Sequence, residues 1–112
     1  MIAETTNGDN RFVMDENVCV IARAAAKEGK ERELRNLLSG MLSPTRAEDG
    51  CIFYRLFEAH EPGQFYFYEL WGSEAALNDH AASEHFKQMQ QKLKDVLREP
   101  FEISLVREIG AK

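Results

Sequence analysis

The sequence predicts an α+β chain of the ferredoxin-like type, with elements in the order βαββαβ, one antiparallel sheet, and helices on one face of that sheet. Two observations lead there. Four short runs rich in β-branched and aromatic residues are interleaved with segments of helical spacing in that order. The middle two runs are joined by His60-Glu61-Pro62-Gly63, whose Pro and Gly preset turn dihedrals, so they read as a hairpin. A third observation bears on assembly. In Phe65–Trp71, alternation puts Phe65, Phe67, Glu69 and Trp71 on one face and Tyr66, Tyr68 and Leu70 on the other, and both sets are bulky.

The first strand is Val18–Ala24, and Gly29 marks its exit. A helix over about 30–47 follows from the three- and four-residue spacing of Leu34, Leu37, Leu38, Met41 and Leu42. Glu48-Asp49-Gly50 ends it, and Cys51–Glu58 is the second strand. Phe65–Trp71 is the third. Ser73 is placed to cap a short helix through about Ala81, and Ser83 to cap another that carries Phe86, Met89, Leu93, Val96 and Leu97 inward. Pro100 bounds that helix, and Phe101–Arg107 is the fourth strand. Right-handed crossovers set strand 1 between strands 3 and 4, with strand 2 outside strand 3.

Helices cover one face of such a sheet. The other keeps Tyr54, Tyr66 and Tyr68, or Phe53, Phe65 and Phe67, depending on register. An apolar face of that size calls for a cover, and a second copy of the chain, sheet against sheet in a homodimer, is the economical one.

With 112 residues the chain makes one domain. Residues 1–15 are polar and aperiodic and read as a flexible arm, leaving 16–112 as that domain. The net charge of −5 and the scatter of Lys and Arg among acidic neighbours argue against nucleic acid or an anionic membrane as partner. No apolar run approaches the roughly 20 residues of a membrane span, and the first ten residues lack the pattern of a signal peptide, so a cytoplasmic location is expected. Cys19 and Cys51 fall in strands that the predicted topology keeps apart, which disfavours a disulfide.

His80 shares a helix face with Leu77, and His85 borders the stripe of Phe86 and Met89. An imidazole there serves as acid, base or hydrogen-bond donor, or buttresses the junction between two helices. Glu69 among aromatics must be paired or protonated; Arg23 or Arg55 could supply the charge, or the carboxylate faces a substrate. No metal is expected, because His80 and His85 are five apart and diverge by roughly 140° on one continuous helix. No cofactor is expected either, since GxGxxG, P-loop and iron–sulfur patterns are missing.

Asp49-Gly50-Cys51, Tyr54, Tyr68-Glu69-Leu70-Trp71, Leu77, His80, Ser83 and His85-Phe86, taken in order and at these spacings, resemble the antibiotic biosynthesis monooxygenase family over about residues 17–108. The resemblance implies a dimeric α+β barrel of two facing sheets. It also implies oxidation of a quinol- or anthrone-type aromatic by O2 without metal, flavin or haem. His80 would then be base or anion-stabilising donor and His85 its second, with Tyr54, Glu69, Trp71, Phe86 and Met89 as substrate-binding wall. Haem-degrading relatives rely on residues that here fall near Ala22, His80 and Gln90, so the resemblance does not extend to them. Two alternatives remain: an isomerase of a small oxygenated metabolite, similar to the autoinducer-2 phosphate isomerase branch, and a non-catalytic dimeric barrel that binds a small hydrophobic ligand.

Overall fold

A computed structural model describes residues 17–110 of the chain; the expected arm over 1–15 lies outside the described residues. The elements are β1 (Val18–Ala25), α1 (Glu31–Ser39), α2 (Leu42–Arg46), β2 (Cys51–Glu58), β3 (Gln64–Trp71), α3 (Glu74–Ala81), α4 (Glu84–Leu93) and β4 (Glu102–Val106). The sheet is antiparallel in the order β2-β3-β1-β4, the topology that the crossover rule requires. The helices pack on one face. Val20, Ala22 and Ala24 of β1 and Phe65, Phe67 and Trp71 of β3 meet Leu34, Leu38, Phe86, Met89 and Leu93 there in a single core.

The predicted first helix is two helices. Pro44 has no N–H to give the Gly40 carbonyl, and its ring would crowd that carbonyl, so a continuous helix cannot pass. The chain tightens instead, with Met41 N bonded to Leu38 O at 3.1 Å, and restarts as α2. At the far end, α4 stops at Leu93, short of the expected Leu97. Lys27 N to Val96 O and Arg98 N to Ala25 O, each 2.8 Å, draw that segment onto the end of β1 instead. Val96 is buried all the same.

The open face differs from both expected sets. A bulge in β2 shifts the register between Cys51, opposite Trp71, and Phe53, opposite Leu70. Beyond it Tyr54 and Leu56 share the helix-covered face with Glu69 and Phe67, while Phe53, Arg55 and Phe57 join Leu70, Tyr68 and Tyr66 on the open one. Neither the three tyrosines nor the three phenylalanines stand together. Cys19, Ile21 and Val106 extend the open face across β1 and β4. Cys19 and Cys51 are free thiols on non-adjacent strands.

Ser73 and Ser83 cap α3 and α4 as predicted, accepting from Ala76 N at 3.1 Å and Phe86 N at 3.3 Å. The loop before β2 docks on α3 through Gly50, where an added methyl would overlap the Cβ of Ala76. Gly50→Ala should therefore lower stability by about 1–3 kcal/mol, read as a drop in urea midpoint. An unchanged midpoint would mean that the loop and α3 are not in contact.

Candidate functional site

Between the helices and the covered face of the sheet lies a cavity of about 220 Å³. Tyr54 from β2, Glu69 from β3, His80 from α3 and Phe86 from α4 line it, with Val20, Phe101 and Ile103 closing the β1–β4 side. Four of the seven residues singled out in the sequence thus share one space. Trp71 stands behind the wall, fully buried, with its ring 4.6 Å from that of His80. His85 and Met89 line a separate groove of about 230 Å³ between α1 and α4.

His80 is only 3% exposed. Trp71, Phe86 and Tyr54 surround its ring, the last two with centroids at 5.1 and 5.6 Å. Burial lowers its pKa, and the bond it makes to a carboxylate partly opposes that. The carboxylate belongs to Glu48, in the loop between α2 and β2. Its Oε2 accepts from His80 Nδ1 at 2.8 Å and from His85 Nε2 at 2.7 Å. Ser83 helps fix the tautomer of His85: its hydroxyl donates to the His80 carbonyl at 2.6 Å, so towards His85 Nε2, 3.2 Å away, its oxygen can only accept. For His80 the Glu48 carboxylate, an acceptor, sets the proton on Nδ1, and Nε2 is the nitrogen left for a substrate.

The two histidines do not diverge. Helix α3 ends at Ala81, the chain turns through Ala82-Ser83, and α4 begins at Glu84, which brings the rings to 5.9 Å. The continuous-helix premise used to set a metal aside does not hold. Glu48 is the member of this group that the sequence reading missed. Two residues before Gly50, it carried no periodic signal, and only its contacts with His80 and His85, 32 and 37 residues on, give it a role.

Neither arginine expected near Glu69 pairs with it. Both lie on the open face: Arg23 bonds Glu99 at 2.7 Å, and Arg55 sits over the Phe53 ring at 4.5 Å. Glu69 instead accepts from the Trp71 indole N–H at 2.9 Å. Burial, with the Glu48 charge as a lesser cause, pushes its pKa up to about 7, against the pull of the indole bond. Burial likewise raises Tyr54, with Glu69 adding to the effect, so the phenol stays protonated. The cavity thus holds a buried imidazole and a carboxyl that titrates near neutrality.

A carboxyl whose pKa rises on folding binds its proton more tightly in the folded state. Stability is then undiminished below the unfolded value near 4.5 and falls as pH rises towards 7, by an amount on the order of 3 kcal/mol. Glu69→Gln, which keeps an oxygen for the indole, should be more stable than the parent at pH 8 and about equal at pH 4, by urea denaturation. The same difference at both pH values would contradict the buried-carboxyl reading.

Comparison with known proteins gives concordant matches. The family model described as antibiotic biosynthesis monooxygenase matches residues 17–92. A Mycobacterium tuberculosis protein named "Putative monooxygenase Rv0793" is 34% identical over 93 residues, covering 83% of this chain and 92% of that one. The structure of Rv0793 superposes with a TM-score of 0.80 at 32% identity, covering 86% of this chain and 98% of the other. That of PA3566 from Pseudomonas aeruginosa gives 0.80 at 28% identity, over 88% and 100%.

Proposed function

Because the chain belongs to the antibiotic biosynthesis monooxygenase family, we propose that it is a cofactor-independent monooxygenase acting with O2 on a small, single-ring quinol-type aromatic. One observation carries the reading: His80, at the cavity wall, has Nδ1 tied to a carboxylate and Nε2 free to take a proton. Cavity size supports the choice of substrate. A dry protein cavity of about 150 Å³ holds benzene, so about 220 Å³ suits one substituted ring rather than three fused ones.

In this reading His80 Nε2 takes the proton of a ring hydroxyl. The imidazolium that forms is stabilised by Glu48 through the Nδ1–H bond. The phenolate is electron-rich enough to reduce O2, and a ring carbon forms the C–O bond of a peroxide. His80 returns its proton to the outer peroxide oxygen. The carbon then gives its hydrogen as a proton to His80, neutral again, as the O–O bond breaks. This leaves one oxygen on the ring as a carbonyl and releases the other as hydroxide, which becomes water, and the His80 proton later replaces the one Glu69 gives. Glu69, near its pKa at neutral pH, is the proton source for the departing hydroxide.

Glu69 also favours a second reading. A base and a neutral acid in one small cavity suit proton transfer between two positions of a hydroxycarbonyl compound, an isomerisation without O2. Oxygen consumption separates the two.

The working unit, in this proposal, is a homodimer joined through the open sheet faces. Exposed Ile21, Phe57, Tyr66 and Val106 on that face support it. Sedimentation at micromolar concentration should give twice the 12.8 kDa chain mass, and Ile21→Glu should shift it to one. A monomeric parent would overturn the dimer.

With a panel of substituted hydroquinones in an oxygen electrode, the parent should consume O2, and His80→Ala should lose about 10²–10⁴-fold in kcat with its circular dichroism retained. Glu48→Gln should lower kcat more than it raises KM, since an amide that donates to Nδ1 forces the proton onto Nε2. Full turnover by His80→Ala would remove it from the mechanism. Ring binding without turnover by the parent would point to a carrier.

A further inference from the structure

Glu48 Oε2, His80 Nδ1 and His85 Nε2 all lie within 4.8 Å of one another, on the side of His80 away from the nitrogen left for substrate. The His80 ring is held in place between Trp71 and Phe86, while His85 Nε2 also has Ser83 Oγ at 3.2 Å, a contact that an ion would replace. Two N–H groups thus converge on one carboxylate oxygen, and a single divalent cation can take the place of both protons. Two imidazoles and a carboxylate, with water as fourth ligand, are a donor set that zinc adopts at N–metal distances of about 2.0–2.1 Å. Around a tetrahedral ion the donors stand about 3.3 Å apart, so the Glu48 oxygen, now 2.8 and 2.7 Å from the two ring nitrogens, backs away by about half an ångström to admit one. The side chains of His85 and Glu48, 26% and 17% exposed, leave the group open to solvent.

We propose that Glu48, His80 and His85 form a binding site for a divalent transition metal of the zinc class, and that its occupation inhibits the enzyme. A metal on His80 Nδ1 moves the ring proton to Nε2, and a protonated Nε2 cannot accept a proton from substrate. The same exchange on His85 moves its proton to Nδ1, so two neutral rings bind the ion with no net proton release. The inhibitory half rests on His80 being the base; the binding half stands without it.

Tag-free protein is titrated with zinc chloride by calorimetry and with cobalt chloride by visible absorption. One ion per chain should bind with Kd in the micromolar range or tighter, and cobalt should show the intense visible bands of a four- or five-coordinate site. Glu48→Gln and His85→Ala should each weaken binding by tenfold or more, whereas His60→Ala, in an exposed turn, should not change it. On the parent protein, zinc should shift the imidazole resonances of His80 and His85 and leave those of His60 in place, a readout independent of how the variants fold. Absence of binding up to millimolar metal, or binding indifferent to both variants, overturns the site. In the oxygen electrode zinc should stop turnover and a chelator restore it, and whatever turnover His85→Ala retains should resist zinc. Full turnover with the site occupied overturns the inhibition alone.

Discussion

A single carboxylate oxygen organises the working end of this fold. Oε2 of Glu48 receives one N–H from the last turn of α3 and another from the first turn of α4, and so ties the α2–β2 loop to both helices. The anion is half-buried, where a hydrogen bond to a charged group is stronger than in water. Lost, it would leave the N–H of His80, a residue only 3% exposed, without its acceptor, and His85 with Ser83 alone. The orientation of His80 and the tautomer of its ring follow from this bond, across a helix break that Ser83 caps locally.

Packing then divides the labour among the aromatics. Trp71 is spent on support, with one face against His80 and its N–H on Glu69. Tyr54 and Phe86 are left to border the cavity, and Tyr54 stacks on Phe67 with centroids 4.7 Å apart. The hairpin register makes this possible: pairing runs unbroken from Glu58–Phe65 at the turn to Phe53–Leu70 and sets Tyr54 opposite Glu69, and the bulge beyond it keeps Cys51 opposite Trp71.

Much of the fold was legible because it rests on local signals. Ser73 and Ser83 are caps wherever helices begin, the Pro62-Gly63 turn forces the β2–β3 hairpin, and chirality then dictates the order β2-β3-β1-β4. His80 was legible as a histidine on an apolar helix face. Pro44 was on view too, and its effect on the Gly40 carbonyl should have split the first helix. The bulge was not legible, since nothing in Cys51-Ile52-Phe53 differs from a regular strand until β3 is alongside. Nor was Glu48, which lies 32 and 37 residues from its two partners and carries no pattern of its own. The arginines expected beside Glu69 failed for a related reason: only the register decides that Arg23 and Arg55 face away from it.

The account turns on which nitrogen of His80 carries the proton. Long-range 1H–15N correlation spectra of the imidazoles at neutral pH measure this directly. The account predicts a pure Nδ1–H tautomer for His80, with Nε2 at the shift of an unprotonated nitrogen, and an averaged pattern for exposed His60. A protonated Nε2 on His80, or the same averaging as His60, would contradict it.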